Sequence, residues 1–162
     1  MAVTTETNQT SNEVQRLSPH LVVESSERAI EFYKKAFGAM EEILLADDAG
    51  RIIHACVSLG DFHIMLVDRM PEHGMHSPGS LGGSPVTIHL MVRDVDAFVS
   101  RAVDAGAKLV MPVADMFWGD RYGLIEDPFG HSWSVATHVR DLSPAEIKAA
   151  MDQAMPNGCG DR

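Results

Sequence analysis

Eight histidines stand in this chain of 162 residues, and four of them fall where strand alternation would turn them to one side of a sheet. His20 opens the string His20-Leu21-Val22-Val23, and His89 opens the matching string His89-Leu90-Met91-Val92. Period-two counting sets His20 two residues beyond Ser18 on the same strand face, His89 two beyond Thr87, and His63 two before Met65. His54, with Cys56, faces inward from the neighbouring strand pattern. Imidazole suits zinc, iron, nickel and copper, so His20, His63 and His89 are one candidate ligand set, with His54 near them. The other reading makes them neutral, cavity-lining groups that hydrogen-bond each other or a bound molecule. No carboxylate is matched to them by spacing, which favours the second.

Other side chains bear on the same cavity. Ten methionines exceed average usage; Met65, Met91 and Met116 are placed on or beside the cavity wall, where a thioether adapts to apolar ligands. Trp118 borders the cavity and can stack on a planar ligand, whereas Trp133 has the parity of a core residue. Arg121 either meets an anionic ligand group or pairs with Asp120 or Asp127. Cys56 lies two residues from His54 with no activating helix terminus, so it reads as buried structure, not a nucleophile. His73 and His76 read as solvated loop residues, His131 as packing after the Asp127-Pro128-Phe129-Gly130 turn, and His138 as a rim residue. No GxGxxG, GxxxxGK[ST] or GxSxG string occurs, which removes the usual phosphate loops and the hydrolase elbow.

The elements that must position these groups repeat. Strand patterns at 17–24, 40–46, 52–59 and 62–67 surround a helix capped by Ser25 or Ser26. That helix carries Ala29, Ile30, Tyr33, Ala36 and Phe37 on its apolar face, a favourable Glu31–Lys35 pair, and Gly38 as its stop. The second half repeats the order: a strand at 85–93, an Asp94 cap, the stripe Val95, Phe98, Val99, Ala102 and Val103, a Gly106 stop, then strands near 108–111, 121–126 and 131–138. The expected fold is α+β: two βαβββ modules, 17–68 and 85–138, forming a curved mixed sheet around a cavity. A Gly/Pro-rich linker, 69–84, joins them. Ser143-Pro144-Ala145-Glu146 starts a short C-terminal helix whose face of Ile147, Ala150, Met151 and Ala154 docks on the domain or on a partner chain. Residues 1–16 and 156–162 read as mobile tails.

Composition bounds the partners. Thirteen basic against 23 acidic residues give a formal charge of −10, which argues against nucleic acid. No apolar run approaches about 18 residues, so no membrane span is expected, and the N-terminus lacks the pattern of a secretory signal. Two cysteines make no disulfide framework and suit a reducing cytoplasm.

Two βαβββ units, the string Glu31-Phe32-Tyr33-Lys34-Lys35-Ala36-Phe37-Gly38-Ala39 and the string Glu126-Asp127-Pro128-Phe129-Gly130-His131-Ser132-Trp133 resemble the vicinal oxygen chelate superfamily of glyoxalases, extradiol dioxygenases and bleomycin-resistance proteins. The stretch 116–138 and the helix start Asp94-Val95-Asp96-Ala97 are similar to its PhnB-like branch. The resemblance implies a homodimer, and in the metal enzymes of the superfamily it implies four ligand positions that fall here on Ser18, Met65, Thr87 and Ser134. Three hydroxyls and a thioether are not the His, Asp or Glu set that zinc or a hard divalent ion takes. The expected function is binding of a small molecule in an apolar cleft by His20, His54, His63, Met65, His89, Met91, Trp118 and Arg121, with no cofactor required. The alternative is a metal-dependent lyase, epimerase or dioxygenase holding a divalent metal on displaced histidines, and a third is a protein-binding domain using the C-terminal helix and the linker.

Overall fold

A computed structural model describes residues 16–154, so apart from Arg16 the two expected tails lie outside the described residues. The first module comprises β1 (His20–Val23), α1 (Ser26–Phe37), β2 (Met40–Ala46), β3 (Ile52–Leu59) and β4 (Phe62–Asp68). After the linker, which carries a short helix α2 (Pro78–Leu81), come β5 (Thr87–Met91), α3 (Val95–Asp104), β6 (Lys108–Asp115), β7 (Asp120–Glu126) and β8 (Ser132–His138); α4 (Pro144–Ala154) follows. The sheets have the orders β1-β4-β3-β2 and β5-β8-β7-β6, each with one parallel pair, β1 with β4 and β5 with β8. The fold is α+β and the repeat is structural: the two βαβββ units share one topology, and the mixed sheet comes as two four-stranded halves.

Local chemistry explains the helices. Ser25 caps α1 by accepting from the Arg28 N–H, and Gly38 closes it at φ 72°, a conformation that costs a glycine nothing. All five apolar positions anticipated from spacing are buried, joined by Phe32 and Ser26. The surface pair differs: Glu31 meets Lys34 at 2.8 Å, one residue earlier than the i,i+4 partner. Asp94 caps α3 through the Ala97 N–H at 2.9 Å. That helix ends at Ala105 in a right-handed conformation, with Gly106 one step beyond it, and Val103 remains 38% exposed instead of completing the stripe.

Several strand ends move. β1 starts only at His20, since Pro19 has no N–H to give a ladder, and β5 at Thr87, since the Val86 N–H is taken by Ser84 Oγ at 3.2 Å. β6 runs on to Asp115, with register shifts on both sides of Met111. The linker is built, not slack. It holds a 3-10 turn at Pro71–His73, a bridge between Met70 and Met75, and α2 capped by Ser77. Ser77 is buried and its hydroxyl donates to Glu24, which also pairs with Arg69 at 3.0 Å, so the linker is tied back to the end of β1. The capping box of α4 forms as spacing predicts, with Ser143 N donating to Glu146 at 2.8 Å, yet no residue of α4 is buried.

One continuous core serves both modules. Phe37 stacks on Phe98 at 5.1 Å between ring centres and meets Trp133 edge-on at 5.0 Å, joining α1, α3 and β8. Arg101 of α3 donates to the Ala36 carbonyl at 2.8 Å and lies over the Phe98 ring. Asp127 is 3% exposed and accepts four hydrogen bonds: from Tyr33 Oη at 2.6 Å, Trp133 Nε1 at 2.9 Å, and the N–H groups of Phe129 and His131. Burial first, and then the Asp127 charge, hold the Tyr33 hydroxyl in its protonated, donating form. Removing the carboxylate strands all four donors. We expect Asp127→Ala to lower stability by about 3–5 kcal/mol in urea denaturation, and Tyr33→Phe by about 1.5–3 kcal/mol.

Candidate functional site

Where the two modules meet, a cleft of about 590 Å³ opens. The start of β4 supplies His63 and Ile64, β5 supplies Ile88 to Met91, and Phe37 and Trp133 form its floor. The lining is largely apolar, with His63, His89, Arg93 and Arg101 as its polar groups. Trp133 combines the core position expected of it, at 0% exposure, with a place in this wall. Three residues anticipated for the site, His63, His89 and Met91, line this cleft.

His63 is held on both sides. Its Nδ1 lies 2.9 Å from Arg16 Nη1, which can only donate, so Nδ1 accepts and Nε2 carries the proton toward Glu42 Oε2 at 3.2 Å. Glu42 also accepts from the Cys56 thiol at 3.6 Å. Burial and the neighbouring Glu42 push that thiol's pKa up, so Cys56 is a protonated, buried group as its pattern predicts. Glu42 escapes any period-two count because the β2–β3 register shifts between Glu41 and Ile43.

The remaining anticipated residues divide between two sheet faces. On the first module His20, Met65 and Cys56 stand side by side across β1, β4 and β3, and the His20 and His54 rings are 6.5 Å apart. Burial, followed by the nearby His54, lowers the pKa of His20, which favours a neutral ring. On the second module His89 Nδ1 lies 2.8 Å from Ser134 Oγ and its Nε2 3.3 Å from Met91 Sδ. The His89 ring stacks on Tyr122 at 6.3 Å, and Trp118 meets Tyr122 edge-on at 5.7 Å. Tyr122 is a site residue that the strand parity of Leu124 and Glu126 would have supplied. Trp118 therefore sits in an aromatic group on this face and does not line the cleft.

Arg121 has a different partner from either expected one. It makes a two-bond contact with Asp96 at 2.6 and 2.7 Å and a third bond to Asp115, and these contacts raise its pKa further. Asp120 is engaged by His138, and Asp127 by Tyr33 and Trp133. His131 packs as its place after the turn predicts, with its ring 3.2 Å from the Val22 carbonyl; His73 and His76 are exposed.

A metal test can be made on donor chemistry. Thr87 Oγ1 is 3.3 Å from Ser132 Oγ and Ser134 is engaged by His89, so the implied quartet with Ser18 and Met65 is hydroxyls and a thioether. That set does not fit a hard divalent ion or zinc. Among the described residues no three His, Cys, Asp or Glu side chains converge as metal ligands, and the displaced set His20, His63 and His89 is not brought together. Among the described residues no helix is long and apolar enough to cross a membrane.

With this geometry, the sequence profile of the Glyoxalase/Bleomycin resistance protein/Dioxygenase superfamily matches residues 13–135. The chain belongs to this superfamily. An uncharacterised protein of Mycobacterium tuberculosis is 49% identical over 138 residues, covering 83% of this chain and 81% of its own. The solved structure of TioX from Micromonospora is 26% identical with a TM-score of 0.62, over 78% of this chain and 100% of that one. An Arabidopsis thaliana gene product of known structure is 31% identical with a TM-score of 0.62, over 76% of this chain and 98% of its own.

His138, expected at the cavity rim, instead bridges Asp120 and Asp141 at 2.9 Å each, where the chain leaves this superfamily domain for α4. Those two hydrogen bonds, Asp120 first, raise its pKa above 6.5. A folded value above the unfolded one means the contact stabilises fully below pH 6.5 and is lost as pH rises through the folded value. Amide exchange at Val139 and Arg140, whose N–H groups bond the Gly119 carbonyl, should quicken across that rise beyond the intrinsic pH effect. His138→Gln should abolish the additional step.

Proposed function

We propose that this superfamily member is a small-molecule binding protein whose site is the cleft between the modules. The observation that carries the reading is the cleft itself: an apolar wall including Phe37, Ile88 and Trp133, with His63, His89, Arg93 and Arg101 as its polar groups. Burying the apolar body of a ligand there removes it from water, while imidazole and guanidinium groups orient polar or anionic ends. A structure described as a fosfomycin resistance protein from Mesorhizobium loti shares the fold at 17% identity and a TM-score of 0.57. We also infer membership of the PhnB-like branch from the stretch 116–138 and a cytoplasmic location from cysteine usage. The overall charge of −10 leaves nucleic acid out of its partners. The test uses anilinonaphthalene sulfonate, which joins an apolar ring system to an anion. Its fluorescence should rise on addition of the protein, and Ile88→Trp, which fills the cleft, should remove most of that rise. No enhancement with the parent chain, or full enhancement with Ile88→Trp, would sink the reading.

The assembly belongs to the same proposal. β2 and β6 are repeat-related edge strands, and they expose Ile43, Leu44 and Leu45 on one and Leu109 and Val110 on the other. Unpaired edges with apolar side chains invite coverage, and we infer that a second copy provides it. Sedimentation equilibrium should give twice the 17.7 kDa of one chain, and Leu44→Lys should shift it toward one. A parent chain that sediments as a monomer would overturn the dimer.

A further inference from the structure

Outside the cleft, the first module carries a cluster that the binding reading does not use. β1, β4 and β3 lie side by side, and the register aligns His20 with Met65 and Met65 with Cys56. Leu21, Val23, Ala55, Val57, Ile64 and Leu66 point into the core, so alternation turns His20, His54 and Met65 to the opposite face. There the His20 and His54 rings approach edge-on, with centres 6.5 Å apart. No described residue hydrogen-bonds either ring, in contrast to His63, His89, His131 and His138, each of which is engaged.

That separation has a chemical meaning. A coordinated imidazole places its ring centre about 3.2 Å from the metal, given a metal–nitrogen bond of about 2.1 Å. Two rings sharing one ion therefore lie about 5.3 Å apart at a tetrahedral angle and about 6.5 Å apart when the angle opens to linear. The observed 6.5 Å matches the near-linear angle that two-coordinate soft ions adopt and hard divalent ions do not, which leaves a third donor weak and long. The neighbour standing between the two histidine strands is a thioether, a soft donor, on β4. No carboxylate completes a harder set, since Glu42 is occupied by His63 and Cys56. Cys56 is turned to Glu42 as a protonated thiol, so the available donors are two imidazoles and one thioether.

We propose that His20, His54 and Met65 form a binding site for a soft monovalent cation, Cu(I) or Ag(I), on the face of the first module's sheet that is turned away from the helices. The site uses one module only and is separate from the cleft between modules.

The experiment titrates Cu(I) into the full chain under anaerobic conditions with bicinchoninate as coloured competitor. Cys56→Ser and Cys159→Ser are introduced first, so that thiols do not contribute. The background chain should take one Cu(I) per chain. His20→Ala and His54→Ala should each weaken it by about tenfold or more, Met65→Leu by less, and the control His73→Ala should leave it unchanged. Imidazole nitrogen spectra of the background chain give a second readout that needs no histidine variant: only the His20 and His54 rings should shift on adding Ag(I). A background chain that leaves the competitor's colour unchanged would overturn the proposal. So would histidine variants that bind as tightly as the background, or ring shifts at other histidines alone. Neither result bears on the cleft, whose test is the fluorescence of the anionic ring probe.

Discussion

The buried carboxylate of Asp127 is the constraint from which the rest of the molecule follows. A charge taken out of water is tolerable only when its acceptor sites are filled, and here α1, β8 and the turn between β7 and β8 fill them together. Two of those donors are side chains of the aromatic core, so the carboxylate fixes Tyr33 and Trp133 in position as well as in protonation. Phe37 packs between them and α3. Phe37 and Trp133 make the floor of the cleft, whose shape is thereby set by a polar contact behind it.

The chemistry of the two sheet faces differs because the modules have diverged within one topology. The second module gathers His89, Tyr122 and Trp118 into an aromatic group with Ser134 and Met91 as polar and sulfur neighbours. The first holds His20, His54 and Met65 without such engagement. The four positions that the superfamily resemblance implies for a metal carry Ser18, Met65, Thr87 and Ser134, three hydroxyls and a thioether. Its acidic groups serve other ends: Asp96 and Asp115 clamp Arg121, Asp127 organises the core, and Asp120 meets His138.

Features set by local backbone chemistry were legible in the chain. The five buried positions of α1, its Gly38 stop, the Asp94 cap and the Ser143–Glu146 box follow from spacing and side-chain type, and so does the inward parity of Trp133. Features that depend on how distant segments meet were not. Arg121 and Asp96 are brought together by the packing of α3 beside β7, which no motif states. Glu42 sits at a register shift that breaks the alternation on which counting relies. His20 and His89 have equivalent places in the repeat, yet equivalence in sequence put them on separate faces instead of in one site. The order of the Gly- and Pro-rich linker comes from Ser77 and Glu24, a contact across 53 residues that local spacing does not state.

That last contact has a kinetic side. Ser77 and Glu24 hold the linker on the first module, and the second module cannot leave without breaking the Tyr33–Asp127 bond and exposing a buried hydroxyl and a buried carboxylate together. Exchange of modules between chains, the low-cost route to intertwined dimers, thus passes through an opened chain and runs no faster than the seam unfolds. Copies of this protein that meet at ordinary temperature do so as closed units, and an intertwined form, once made during synthesis or refolding, would persist.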